Sequence, residues 1–390
     1  LQRRRPVLVD KTAYNCGRFT PGSPTFAPAQ RQRPARRLDE EETPMTALQS
    51  RFSRFARLAA ASSAAVAGLA AAPASAQVTL TLSSWVPPQH ALTRSQIEWC
   101  QELSKQTEQR IKCNPLAKPV APPPGTFDAV RDGLADVSFG VHGYTPGRFV
   151  FTQMVELPFI GGDSAEQTSV AYQKVHDKYL AKFDEHKGLK VLSVFTHGPG
   201  SAYNAKHPIT RLSDFDGLKM RVGGGMINEI GAALGINMTL KPAPQSYELL
   251  SSGVMDGVFF PAESIRGFKL EKLIKYRTDF PGGLYNTSFA FVMNPGTWAK
   301  LSKQDQEIVT RMSGEYVARL FGKAWDKDDR EGSAFMQAEG IQKVMADKAF
   351  VDAVRAKTNA LEEKWVKEAK ARGLTNADQV LKEYTELATK

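Results

Sequence analysis

Residues 78–116, VTLTLSSWVPPQHALTRSQIEWCQELSKQTEQRIKCNPL, hold the pattern that decides the fold. Residues 78–85 alternate apolar and polar side chains, the period of a half-buried strand, and Pro87-Pro88 close it because proline cannot donate to a sheet ladder. Residues 92–106 carry apolar groups at helical spacing, and residues 111–116 return to the strand pattern. Strand, helix and strand in succession predict an α/β domain with a mainly parallel sheet.

Toward the C-terminus the alternation continues. A Pro-rich turn at 119–125 precedes a helix over 126–133 and a strand over 136–141. Further strands are predicted at 191–196, 218–222, 254–260 and 288–293, and Gly223-Gly224-Gly225 introduces a helix over 226–234. From Asp305 the chain reads as helices to its end, with the Lys/Glu-rich stretch 349–372 as a solvated face. No repeat of 20 to 50 residues is visible.

Toward the N-terminus the composition changes. Arg51, Arg54 and Arg57 form a basic region, 58–72 is an apolar Ala-rich run, and Ala74-Ser75-Ala76 before Gln77 is an A-x-A cleavage site. Residues 45–76 therefore read as a secretory signal peptide, which places the product in the periplasm with a mature N-terminus near Gln77. Residues 1–44, rich in Arg, Pro and Gly, read as a non-native or disordered upstream extension. The chain has 51 Lys+Arg and 41 Asp+Glu; residues 1–76 hold 12 and 5 of these, leaving 39 and 36. So balanced a surface gives no reason to expect nucleic acid or a polybasic membrane contact. Past residue 76 no run of 18 apolar residues occurs, and Gln rather than Cys at 77 argues against a lipid anchor.

Chemical motifs are sparse. Nucleophile-elbow, zinc-protease, P-loop and dinucleotide fingerprints are all missing from the sequence, and the six histidines have no metal-ligand spacing on one helix face, so no cofactor or metal is expected. Cys100 and Cys113, on neighbouring elements of an exported chain, can either form a disulfide or remain as two buried thiols. Gly223 to Gly225 could cradle an anion on the amides of the following helix. Arg221 sits at the carboxyl end of a strand beside that turn, where α/β sheets bind ligands, and its guanidinium can grip a carboxylate through two parallel hydrogen bonds. A pairing of Arg221 with a neighbouring acid at a domain surface is the structural alternative.

Three stretches carry a resemblance in order: Gly217-Leu218-Lys219-Met220-Arg221-Val222; Glu248 to Gly257, ending Gly253-Val254-Met255-Asp256-Gly257; and Phe291-Val292-Met293-Asn294 with Trp298 and Leu301. Together they resemble the signatures of the DctP family, the substrate-binding proteins of tripartite ATP-independent periplasmic (TRAP) transporters. The resemblance implies a two-domain, type II-like periplasmic-binding-protein fold with discontinuous domains joined by hinge strands and the ligand in the interdomain cleft. Its implied division is 78–199 plus 285–324 and 200–284 plus 325–390, with His197 to Gly200 and Pro281-Gly282-Gly283 as hinge candidates. It also implies that Arg221 is the carboxylate-binding arginine, that the protein is a receptor and not an enzyme, and that small and large permease subunits receive an organic acid from a monomeric carrier. A binding protein of an ABC importer or sensory system, and less so a periplasmic enzyme, are the alternatives.

Departures from the resemblance concern the ligand. Sialic-acid-binding members have a second arginine where this chain has Ser201, and an asparagine where it has Phe260. Phe259-Phe260 instead offers an aromatic wall, which suits a carboxylate with an apolar or aromatic body. Strand alternation turns one of the two phenyls to the core, and Phe260 is the one expected in the pocket. Trp85, His90, His142, Tyr144, Glu263, Tyr285 and Asn286, at strand ends on the same side, complete the candidate wall.

Overall fold

The computed structural model describes residues 77–390, so the expectations for 1–44 and 45–76 lie outside the described residues. The strands are β1 Val78–Leu82, β2 Ile111–Pro115, β3 Val137–Val141, β4 Lys190–Thr196, β5 Ser201–Asn204, β6 Lys219–Val222, β7 Asn237–Leu240, β8 Gly257–Phe260, β9 Tyr276–Asp279, β10 Ser288–Met293 and β11 Gln342–Met345. The helices are α1 Ala91–Gln106, α2 Thr126–Arg131, α3 Ala165–Val175, α4 Met226–Leu234, α5 Ser246–Ser251 and α6 Ala262–Gly267. Five more follow: α7 Pro295–Lys300, α8 Lys303–Arg311, α9 Glu315–Ala338, α10 Lys348–Ala371 and α11 Ala377–Ala388.

Two sheets organise these elements, one in the order β2-β1-β3-β10-β4 and the other β11-β9-β5-β8-β6-β7. Both are mainly parallel, as expected, but each holds one reversed strand that the sequence did not show: β10 runs antiparallel to β3 and β4, and β5 antiparallel to β8 and β9. The cause is the path of the chain. Each reversed strand is the one that has just arrived from the other sheet, β5 after β4 and β10 after β9. The two connections also bond to each other, Gly200 N–H donating to the Tyr285 carbonyl and Leu284 N–H to the Gly200 carbonyl, each at 3.0 Å.

Several local expectations are corrected as well. Strand β11 interrupts the C-terminal region read as all helix, pairing parallel to β9. β8 begins at Gly257 because residues 252–256 form the turn in which Gly253 has φ of 69°. The charged stretch is α10, solvated on one side only: Phe350, Val354, Leu361 and Trp365 are buried at helical spacing, and the Trp365 indole N–H donates to the Val150 carbonyl at 3.0 Å. Cys100 and Cys113 form a disulfide that ties α1 to β2, with Cα atoms 6.0 Å apart.

Helix α9 packs against α1, α3 and α6. Its Asp326 accepts hydrogen bonds from Ser164 and from the first amides of α3, and its Asp329 from the Glu263 amide in α6, so one helix caps elements beside both sheets.

Candidate ligand-binding cavity

A cavity lies between the two sheets. Trp85, Val141, Tyr144 and Phe289 line it from the first sheet and its loops, Arg221, Phe259 and Phe260 from the second. Its wall is dominated by aromatic rings, as small-molecule sites are.

Arg221 is the charged side chain of that wall. It lies in β6 and is 1% exposed, yet forms no ion pair with any carboxylate of the described residues. Its Nε donates to the Lys241 carbonyl at 2.8 Å, and its guanidinium carbon stands 4.4 Å from the centre of the Phe260 ring. Nη2 is buried without a partner. Burial pulls the arginine pKa down, against the opposing influence of Tyr144 and Tyr285, but an arginine stays charged. A buried cation with an unused donor is costly unless an anion completes it.

The glycine turn after β6 has another use than the sequence suggests. The amide of Met226, first in α4, donates to Glu156 Oε2 at 2.9 Å, so the protein's own carboxylate takes the helix N-terminus. Oε1 of Glu156 accepts from the Ser288 amide and hydroxyl at 2.8 and 2.6 Å, joining the Gly-rich turn beside the second sheet to β10 of the first. Burial raises the Glu156 pKa to about 7 despite these three bonds. Gly224, at φ 81°, abuts the Gly143 carbonyl so closely that no Cβ would fit.

Among the other candidates, Trp85, Tyr144 and Phe260 line the cavity with Arg221, as do His90 and Tyr285. Phe259 reaches it as well, while also stacking on Phe215 in the core. Three named residues stand away from the wall. His142 is turned toward Ser288 and His186, at 2.9 and 2.7 Å, between the Phe127 and Phe149 rings; burial, then His186, pushes its pKa well down. Asn286 is folded back onto the Thr287 amide. Glu263 lies behind His90: the Leu92 amide donates to His90 Nδ1, so Nε2 carries the proton and faces the Glu263 carboxyl at 3.2 Å. Burial, then Arg94, holds His90 down at about 3, and burial, then Asp329, raises Glu263 to about 8.

Phe268, Phe289, His197 and Trp325 also line the cavity. Sequence reading gave none of them that place. Trp325 sits in the charged segment Trp325-Asp326-Lys327-Asp328-Asp329, where nothing distinguishes a cavity-facing indole from a core one. Among the described residues no group of three or more His, Cys, Asp or Glu is placed to hold a metal, and no helix is long and apolar enough to cross a membrane.

The two-sheet frame and interior cavity define an extracellular solute-binding protein of the two-domain kind. Residues 82–369 match the DctP family, bacterial extracellular solute-binding protein family 7, and the chain belongs to that family. Among solved structures it is similar to a TRAP periplasmic solute-binding protein of Bordetella bronchiseptica with bound (R)- and (S)-mandelate. Identity there is 46% and the TM-score 0.78, over 80% of this chain and 98% of that one. It is also similar to a marine-metagenome TRAP solute-binding protein specific for aromatic acid ligands, in complex with metahydroxyphenylacetate. That match has 31% identity and a TM-score of 0.75, with the same coverage of both chains. A Comamonas testosteroni protein named outer membrane transporter protein TsaT is 29% identical over 320 residues, 81% of this chain and 94% of that protein.

Proposed function

We propose that this protein is the periplasmic receptor of a TRAP transporter for a carboxylate with an aromatic body, gripped by Arg221 and delivered to the membrane permease subunits. The observation that carries this reading is the buried Arg221 guanidinium, unpaired at Nη2, in a wall dominated by rings. An aryl carboxylate supplies both complements: an anion for the arginine and a flat apolar face for Phe260, Trp85 and Tyr144. Mandelate in one relative and aromatic acids in another belong to the same chemical class.

On this reading the lobes are 78–199 with 285–324, and 200–284 with 325–390, closing about the paired connections at Gly200 and Leu284. The carrier acts as a monomer without a catalytic step. Export leaves Gln77 as the first residue, which mass spectrometry of the secreted protein reads directly. The functional test is calorimetry with mandelate, phenylacetate and benzoate against succinate. Aromatic acids are expected to bind and to lose measurable affinity in Arg221→Ala, whose melting temperature stays near the parent's. Equal affinity in the parent and in Arg221→Ala would sink the clamp.

A further inference from the structure

Two residues of the cavity wall hold a buried side-chain nitrogen without a hydrogen-bond partner among the described residues: Arg221 through Nη2 and Trp325 through Nε1. The other buried indoles are satisfied. Trp85, Trp99 and Trp365 each donate to a backbone carbonyl, of Phe139, Met312 and Val150 respectively. An indole N–H can only donate, so Trp325 calls for an acceptor that the described residues do not provide.

Beside it stands His197, ring centres 5.9 Å apart and planes at 63°. Its Nδ1 contacts the Gly198 carbonyl, which can only accept, so Nδ1 carries the proton. Burial holds His197 down at about 4, so the ring is neutral and Nε2 is left as its acceptor. His90, the other histidine of the wall, is engaged at both nitrogens by Leu92 and Glu263.

Contacts around the wall place this pair away from the arginine. From Arg221 the path runs over Phe260 to the stacked Phe268, 5.6 Å on, then to His90 at 5.6 Å and Trp325 at 5.4 Å. The return runs through His197 and Tyr285, whose rings lie 5.5 Å apart. Arg221 and Trp325 are thus separated by intervening rings on either side.

We propose that this far end is a hydroxyl-binding subsite, in which one hydroxyl of an aryl carboxylate accepts from Trp325 Nε1–H and donates to His197 Nε2. A hydroxyl fits because it accepts and donates through one atom, whereas an ether or a halogen completes only half of the pair. The proposal rests on the aromatic-acid reading above and makes it more specific: the ligand class becomes hydroxylated aryl acids.

Calorimetry with phenylacetate, the three hydroxyphenylacetate isomers and the three methylphenylacetates tests it, since methyl fills the space of hydroxyl without bonding. One hydroxy isomer is expected to bind at least about tenfold tighter than phenylacetate and than its methyl counterpart. Trp325→Phe should bring that ratio to within about twofold of unity, and His197→Phe should lower it too. A ratio that survives Trp325→Phe and His197→Phe, or a hydroxy isomer that never exceeds its parent acid, overturns the subsite; bound phenylacetate then leaves the aromatic-acid reading standing. If none of the seven acids binds, both fall.

Discussion

The two sheets share one plan. In the first, β1 pairs parallel with β2 and β3, and the reversed β10 follows β3; in the second, β6 pairs parallel with β7 and β8, and the reversed β5 follows β8. Even a detail repeats: Asp136 before β3 accepts from the Thr81 amide in β1 at 2.8 Å, and Asp256 before β8 from the Lys219 amide in β6 at 2.9 Å. What differs is the side chain that β1 and β6, the corresponding strands, each lead to at the cavity. Beyond β1 stands Trp85, its indole already bonded to the Phe139 carbonyl, while β6 carries Arg221 with a nitrogen unspent. A common backbone frame thus sets the cleft, and a few side chains give it polarity: neutral rings on one side, a cation on the other.

The largest expected effect breaks that polarity. Arg221→Ala should cost about 3 kcal/mol or more of mandelate binding, over a hundredfold in affinity, because it strands the bound carboxylate in a buried site. Trp85→Phe keeps an aromatic surface and should cost less than tenfold in the same titration. If Trp85→Phe cost more, the apolar side would carry the recognition and the assignment of roles would reverse.

A second difference between the lobes concerns stability. The first is stapled by Cys100–Cys113 across 13 residues of sequence, and neither cysteine lines the cavity. Closing a loop of that length contributes about 3 kcal/mol. The double variant Cys100→Ser/Cys113→Ser should therefore melt several degrees lower while binding mandelate within about twofold of the parent. A matching loss of affinity would show that the staple shapes the cleft as well.

Protonation separates the lobes less sharply, since each buries a carboxyl: Glu156 at β10 and Glu263 in α6. Glu263 has the higher pKa, about 8 against an ordinary 4.5, chiefly through burial and secondly through Asp329. Because the folded value is raised, the cost of ionising it is absent below about pH 4.5 and grows until about pH 8. Glu263→Gln should accordingly gain about 2 kcal/mol relative to the parent between pH 5.5 and 7.5, read from paired denaturant titrations. The buried histidines, lowered in the fold, lose stability in the acid direction, and that contribution cancels in the comparison. A difference independent of pH would mean that Glu263 is ionised throughout.

The frame was legible in the sequence where local pattern sufficed. The α1 and β2 elements, the β10 run and the helix after the three glycines carry clear periodicity and punctuation, and they fall within a residue or so of expectation. The short strands β5, β7 and β9 have four residues each and little alternation, and β11 follows a long helical run, so these were invisible without their partners in the sheet. Within the cavity, Arg221 was legible because it stands at a strand end beside the glycine turn and within a stretch that carries the family resemblance; its position alone left a pairing with a neighbouring acid equally open. Trp325 and His197 were not, since their meeting depends on α9 crossing behind the connection after β4. Position at a strand end was also too coarse a guide: it named His142 and Glu263, whose side chains turn into polar networks behind the wall.

The smallest effect sharpens the comparison most finely, because it asks whether the charged side of the cleft also depends on rings. Phe260 places its ring 4.4 Å from the guanidinium carbon and stacks on Phe268 at 18° between planes, so it supports Arg221 while Lys241 fixes Nε. Phe260→Leu keeps apolar bulk and removes only the ring's attraction for the cation, worth about 1 kcal/mol where water is excluded. Mandelate should then bind about fivefold more weakly, with most of the change in the dissociation rate, because the arginine loses the ring that positions it. If affinity instead rises, the ring has been competing with the ligand for the guanidinium, and the pairing of Arg221 with Phe260 is a resting contact that binding must displace.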